Sequence, residues 1–379
     1  MKILYLTPGC FDKGGISRYN RFQIQAFREI AGEANVRVFS LRHKKPGDLE
    51  AAFDVAWQAG TNVHWLNKIA FSLRVLVDAL IWRPDVILVA HVYMSWFASM
   101  LGKLTGASVV LNAYGLEIWS GLTPLRERGL KGADEVISDC HFTAGYLERN
   151  GYRTEGSVQV IWDTVDVERF YPDRPNPAVL AKYGIPKPEE GINLMTLGRI
   201  AVIADHKGYR RLLEAFSLAA QEVEALRLIY AGSGDLVERL RAQAREMGLA
   251  ARVHFTGSVD DQDLPDVYRA AHLFALISDR GNGRGEGVPV TPLEAAACGI
   301  PILVGNQDGS PEAVVEGVDG FVLDSFDIAA HARAIVRLAT DAGLRAEMGA
   351  AASRKVRAEF SYPVFREKHR TFLNSLAAS

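Results

Sequence analysis

Short runs that are apolar at nearly every position alternate with stretches whose apolar residues recur at helical spacing, and this alternation passes through the chain twice. In the first half the runs are KILYLT (2–7), VRVFSL (36–41), DVILVA (85–90), SVVLNA (108–113), EVIS (135–138) and VQVIW (158–162). Helical spacing marks 15–31, 66–82 and 94–104 between them. A strand with no polar side must be covered on both faces, and a helix between two strands lets them pair in parallel. The pattern therefore predicts a doubly wound, Rossmann-like α/β sheet. Residues 165–191 interrupt it with five prolines, at 172, 175, 177, 186 and 188, and read as a linker holding one short helix. The alternation then restarts, with strands at 192–198, 227–232, 252–257, 272–278 and 301–305. Helices are expected at 208–221, 235–248, 263–271, 291–299, 327–340 and 342–358, and one more after 360. The organisation expected is an N-terminal domain at 1–165, a linker at 166–191 and a second domain at 192–359. Two such sheets are expected to face each other across a cleft, with ligands at the C-terminal ends of the strands.

Composition removes several function classes. The 379 residues carry a formal net charge of -2, which argues against a nucleic-acid binder working by bulk positive charge. Cys10, Cys140 and Cys298 lie far apart with no CxxC pair, so neither a disulfide framework nor a cysteine-rich zinc site is expected. Charge is uneven: residues 1–131 hold 16 Lys and Arg against 10 Asp and Glu, and the rest hold 27 against 35. A basic N-terminal part suits an anionic membrane surface or a phosphate-bearing acceptor, although a chance imbalance would look the same. The most apolar stretch, 69–82, is interrupted by Arg74 and Asp78 and is too short to span a bilayer. MKILYLTPG breaks at Pro8-Gly9 and reads as a buried strand rather than an export leader, so a cytoplasmic location is expected, with peripheral contact at the inner membrane as an option.

Two segments carry chemistry. EGVPVTPLEAAACGIPILVG (286–305) places Glu286 in a glycine-rich loop and Glu294 inside a helix that starts near Pro289. A helix start offers unpaired N–H groups and a positive dipole, which suits a diphosphate beside Gly287, Val288 and Val290. A carboxylate in the first turns can accept both hydrogens of a ribose diol, and a loop carboxylate can reach sugar hydroxyls beyond the phosphates. Two glutamates on a surface helix would show the same spacing. In TLGRIAVIADHKGYRRLLEAF (196–216), Arg199 follows a strand and Lys207 precedes a helix. Two cations at that sheet edge can bind a diphosphate and stabilise the charge that grows as its bond to a sugar breaks. Gly14 and Gly15 follow the first strand, where glycine lets backbone approach a phosphate; a plain turn dipeptide would read alike.

Together these segments resemble the retaining glycosyltransferases of family four, which have the two-domain GT-B fold. Lys13-Gly14-Gly15-Ile16 resembles the family's first glycine-rich loop, and Gly198-Arg199 with Lys207-Gly208 its phosphate-binding pair. Gly232-Ser233-Gly234 resembles the turn after the following strand, Glu286 through Glu294 its paired-glutamate motif, and Ser310-Pro311-Glu312 with Glu316–Phe321 the segment after it. The resemblance implies that Arg199 and Lys207 hold the diphosphate of a nucleotide sugar, that Glu294 binds the ribose and that Glu286 holds the transferred sugar. Gly14, Gly15, Gly232 and Gly234 then belong to the donor site. It further implies that residues 360–379 cross back onto the N-terminal domain.

Three positions depart from the family. Tyr114-Gly115, then Leu116-Glu117, stands where the family often has His-Gly, so Tyr114 and Glu117 become the candidates for sugar or acceptor contact. Asp163-Thr164 replaces a usual Asn-Gly, and Pro289 removes a backbone N–H beside the donor site. Asp261-Gln262-Asp263 matches a metal-binding DxD but precedes a helix, and is expected to act as an N-cap acid cluster. His91 and His141 are expected in structural or site-lining roles. The expectation is hexose transfer from a UDP- or GDP-sugar to a glycan or lipid-linked glycan acceptor in bacterial polysaccharide assembly. No metal or other cofactor and no nucleic acid is expected to take part. A GT-B phosphorylase or epimerase, or a non-catalytic two-domain ligand-binding protein, are the alternatives.

Overall fold

The protein is described from a computed structural model that covers residues 1–378 apart from 13, 46–47, 49–52 and 62. It forms two compact units, Met1–Thr164 with Tyr362–Ser379, and Val165–Ser361.

The first unit contains β1 (Ile3–Thr7), α1 (Gly15–Ala31), β2 (Val36–Ser40), β3 (Trp57–Gln58), α2 (His64–Trp82), β4 (Val86–Val89) and α3 (Ser95–Thr105). It continues with β5 (Ser108–Ala113), α4 (Leu116–Trp119), α5 (Pro124–Lys131), β6 (Glu135–Ser138), α6 (His141–Arg149) and β7 (Val158–Val160). The strands pair in the order β3-β2-β1-β4-β5-β6-β7, all parallel. Alternation along β1 shows why these strands are apolar throughout. Ile3 and Tyr5 pack on α1 and the C-terminal helix, while Leu4 and Leu6 join Phe71, Val75 and Leu101 from α2 and α3. The two-residue β3 and the eight-residue α5 were not expected, being too short to show a period.

The second unit holds α7 (Pro177–Tyr183), β8 (Ile192–Leu197), α8 (Tyr209–Glu222), β9 (Leu226–Ala231), α9 (Val237–Glu246), β10 (Val253–Gly257), α10 (Leu264–Arg269) and β11 (Leu273–Leu276). Then come α11 (Val290–Ala297), β12 (Ile302–Gly305), β13 (Gly320–Leu323), α12 (Ile328–Thr340) and α13 (Ala342–Glu359). The strand order is β10-β9-β8-β11-β12-β13, again parallel. Residues 166–191, expected as a linker, are part of this unit. The Asn176 side chain caps α7, Leu180 is buried, and Lys182 reaches Asp263 at 2.7 Å. Prolines only shaped the backbone there; they did not detach it.

The last helix, α14 (Tyr362–Ala378), lies in the first unit against α1. Its Arg366 pairs with Glu29 at 2.9 Å, and buried Phe365, Phe372 and Leu373 join the α1 side of the core.

Candidate functional site

Strand order in the second unit reverses between β8 and β11: the chain moves outward from β8 through β9 to one edge, and from β11 through β12 to the other. The loops after β8 and β11 must therefore diverge above the sheet, which opens a crevice at their strand ends. Lys207 ends the first of these loops and Glu286 lies in the second. They meet there, with Lys207 Nζ 2.7 Å from Glu286 Oε1. His206 Nε2 lies 3.1 Å from the same oxygen. Burial alone would push the Glu286 carboxyl up, but the Lys207 charge and the hydrogen bonds from His206 and Lys207 outweigh it and hold the pKa at about 2. The loop is anchored from behind. Glu286 N–H donates to Asp308 Oδ2 at 2.8 Å, and Asp308 Oδ1 accepts from Ser310 N–H at 2.9 Å.

Glycine 208 makes this meeting geometrically available. Its φ is +74°, and a Cβ there would collide with the Ile277 carbonyl oxygen at the end of β11. The loop after β8 can thus lie directly on the loop after β11. Arg199 stands one residue after Gly198, which packs near the Tyr209 hydroxyl and the Lys207 methylenes. Arg199 is exposed and, among the described residues, forms no ion pair. Tyr209 is fully buried, and its hydroxyl finds no hydrogen-bond partner among the described residues. Burial, then the nearby Glu286, raises its pKa.

Glu294 sits apart from this cluster, in α11. It is buried and accepts a hydrogen bond from Tyr268 Oη at 2.8 Å. Gly287, Val288 and Val290 run from Glu286 into the first turn of α11, whose N-cap is Pro289. Gly232 and Gly234 have a reason internal to the chain. A Cβ on Gly232 would strike the Gly198 carbonyl, and one on Gly234 the Ile200 carbonyl, so both glycines let the turn after β9 pack on the loop that carries Arg199. Ile200 N–H donates to the Ser233 carbonyl at 3.0 Å across that contact.

The remaining candidates lie in the first unit. Gly14 is the N-cap of α1 and donates its N–H to Asp12 Oδ1 at 2.9 Å; Lys13 falls outside the described residues. Beside Gly15, among the described residues, nothing outside its chain neighbours and its own helix backbone comes within 4 Å of where a Cβ would stand. Tyr114 is buried, and its hydroxyl donates to Asn20 Oδ1 at 2.7 Å while accepting from Asn112 Nδ2 at 2.9 Å. Tyr5, Gln23 and His369 complete this buried polar network, with Gln23 Nε2 2.9 Å from His369 Nε2. Glu117 is buried too, and accepts from Tyr114 N–H at 2.8 Å. Asp163 lies 3.5 Å from Arg18. His91 stacks on Tyr93 at 4.2 Å, and burial with the charges of Arg126 and Arg42 pulls its pKa down to about 4; His141 packs edge-on to Trp162.

One expectation fails. Asp261 and Asp263 do not cap the helix that follows: no side-chain cap bond forms at its start. Asp263 is held by Lys182 at 2.7 Å and by Tyr183 Oη at 2.7 Å, and Asp261 by Arg169 at 2.9 Å. Cations brought in by the 166–191 segment outcompete neutral N–H groups for these carboxylates. Sequence reasoning also passed over His206, Asp308 and Tyr268. Only the adjacency of His206 to Lys207 could have flagged one of them.

The glycosyl transferases group 1 family model matches residues 186–355, a span that contains Arg199, Lys207, Glu286 and Glu294. A GDP-mannose-dependent alpha-(1-6)-phosphatidylinositol monomannoside mannosyltransferase from Mycobacterium tuberculosis is 30% identical over 278 residues, covering 72% of this chain and 71% of that protein. The chain belongs to the glycosyl transferases group 1 family. As a member it is a glycosyltransferase. A D-inositol 3-phosphate glycosyltransferase from Salinispora tropica is 32% identical over 61% of this chain and 49% of its own length. Among solved structures, HepE from Anabaena in complex with UDP superposes with a TM-score of 0.80 at 19% identity, covering 99% of this chain and all of that one. Sucrose-phosphate synthase from Thermosynechococcus elongatus gives 0.77 at 20% identity over the full length of both. These neighbours fix the fold of this glycosyltransferase as two Rossmann-like domains of the GT-B type.

Proposed function

We propose that this glycosyltransferase moves a hexose from a UDP- or GDP-sugar to a glycan or lipid-linked glycan in bacterial polysaccharide assembly, with retention of anomeric configuration. The observation that carries the donor reading is the meeting of Lys207, His206 and Glu286 above the β8/β11 switch point, beside the exposed Arg199. In this reading Arg199 and Lys207 take the diphosphate, the first turn of α11 adds its N–H groups, and Glu286 turns from Lys207 to the sugar hydroxyls. Glu294 binds the ribose together with its partner Tyr268.

The step breaks the bond between the anomeric carbon and the phosphate oxygen and forms one to the acceptor oxygen on the same face. The acceptor proton passes to the departing phosphate. The protein contributes position and fixed positive charge rather than a nucleophile. Arg199 and Lys207 supply that charge, so the transfer is read as metal-independent. The relatives named for phosphatidylinositol monomannoside support a lipid-linked acceptor; in our reading it is met at the cytoplasmic face of the membrane. No helix among the described residues is long and apolar enough to cross it.

A thermal-shift panel of UDP-, GDP- and ADP-sugars followed by transfer assays tests the reading. Stabilisation by one donor class, and nucleotide release that depends on Lys207, is expected. A shift without turnover on any acceptor would leave only a ligand-binding protein.

A further inference from the structure

Helix α2 is apolar on two faces, and only one of them is used by the fold. Asn67, Phe71, Val75 and Ala79, four residues apart in sequence, form the buried stripe. On the opposite side Trp65, Ile69, Leu73, Val77, Leu80 and Ile81 face outward, with Trp65 63%, Leu73 59% and Ile81 78% exposed. A stripe of this kind on a surface helix is expected to face the core; here the core-facing stripe is the other one. Helix α3, which packs against α2, adds exposed Trp96 and Leu104 to the same unit. Isolated apolar residues on a surface are ordinary, whereas a contiguous row of six along a 19-residue helix marks a contact surface.

The charges around this face identify what it contacts. Lys68 and Arg74 on α2 and Lys103 on α3 are exposed and, among the described residues, form no ion pair. The only acid in either helix is Asp78, which is mostly buried and held by Arg37 at 2.7 Å. The unit that carries the face has 21 Lys and Arg against 17 Asp and Glu, and the other unit has 22 against 28. An apolar face flanked along its own helix by Lys68 and Arg74, with a tryptophan in the first turn, matches a helix lying in the headgroup layer of an anionic bilayer. A second copy of the chain fits less well. A two-fold contact sets a patch against itself, and would set the cations Lys68, Arg74 and Lys103 of one copy on the same surface as those of the other, with no exposed acid from either helix to answer them.

We propose that the outward face of α2 docks this protein onto anionic lipid with α2 parallel to the membrane plane. The lipid-linked acceptor proposed above, on which this purpose rests, would be met at that surface.

Flotation of the full chain with vesicles tests it. Wild-type protein should float with mixed phosphatidylcholine–phosphatidylglycerol vesicles, less so as salt rises, and weakly with phosphatidylcholine alone. Leu73→Ser/Ile81→Ser should lower binding by about tenfold or more, and Lys68→Gln/Arg74→Gln by about fivefold per cation. All four side chains are exposed, so thermal unfolding and calorimetric UDP or GDP binding should match wild type. Wild-type protein that stays unbound with both vesicle types, or a Leu73→Ser/Ile81→Ser variant that floats as well as wild type, overturns the proposal. So does a wild-type dimer in sedimentation that this variant returns to monomer without any vesicle binding. Protein that floats as expected but binds neither UDP nor GDP supports the docking face and overturns the donor reading instead.

Discussion

Replacing Glu286 by glutamine should tighten the binding of bare UDP or GDP while removing most turnover. In the resting site the carboxylate occupies Lys207, with Nζ 2.7 Å from Oε1. A phosphate that takes the same ammonium must approach to hydrogen-bonding distance of Nζ, which leaves its charge roughly 5 Å from the carboxylate. Two like charges at that separation repel by ~1 kcal/mol in a water-like environment and ~3 kcal/mol at the effective dielectric of a partly buried site. Glutamine keeps the size and a carbonyl acceptor for His206 but drops the charge. Nucleotide affinity should therefore rise at least about fivefold. Turnover should fall about 100-fold, because the group assigned to the transferred sugar loses its charge and one of its two acceptor oxygens. Calorimetry with UDP and GDP at neutral pH, beside a donor-consumption assay, measures both. A tenfold loss of nucleotide affinity in the glutamine variant would refute the reasoning, since it would make Glu286 a net attractor of the nucleotide.

Arg199→Ala and Lys207→Ala should each lower turnover about 100-fold at saturating donor, the usual cost of removing one donor to a developing charge; near wild-type rates in both would remove the diphosphate assignment. Glu294→Ala should weaken bare-nucleotide binding, and in calorimetry it should behave opposite to the Glu286 variant; equal behaviour would merge the two roles. His369 is fully buried, and burial above all pulls its pKa from 6.5 to about 4. Its neutral form is thus favoured by folding. The contribution is whole above pH 6.5 and lost as pH falls toward 4, up to about 3 kcal/mol. Chemical denaturation at pH 7 and pH 4.5 should show His369→Gln less acid-sensitive than wild type, and equal pH slopes would remove His369 as a source. Transfer activity should survive excess EDTA after dialysis; activity lost to chelation and restored by Mg²⁺ or Mn²⁺ would place the phosphate chemistry on a metal.

Strand-by-strand, the fold was legible because parallel strands covered on both faces leave uninterrupted apolar runs. SVVLNA and EVIS form the very segments read from the sequence, β5 and β6. What was illegible depended on tertiary partners. The proline-rich stretch looked like a linker because composition does not report that Lys182 and Arg169 would find Asp263 and Asp261. Those same pairs spoiled the capping assignment. Within the site, residue type and spacing pointed to Lys207 and Glu286, but not to the ion pair between them, which depends on the strand order of β8 and β11. Tyr114 shows the opposite limit: a tyrosine at a family histidine position invited a ligand role, while its hydroxyl is engaged by Asn20 and Asn112 inside the unit. The row Trp65, Ile69, Leu73 has the helical spacing that usually marks a core-facing stripe; that the other apolar face of α2 is the buried one is visible only in the structure.

The central claim is transfer from a nucleotide sugar with retention, driven by protein cations. Proton NMR of the product formed from the α-linked donor that the thermal-shift panel selects tests it most directly. The account predicts an α-anomeric signal in the new glycoside, growing in step with released UDP or GDP and absent with Lys207→Ala. A β-anomeric product, or sugar transferred without nucleotide release, would contradict it.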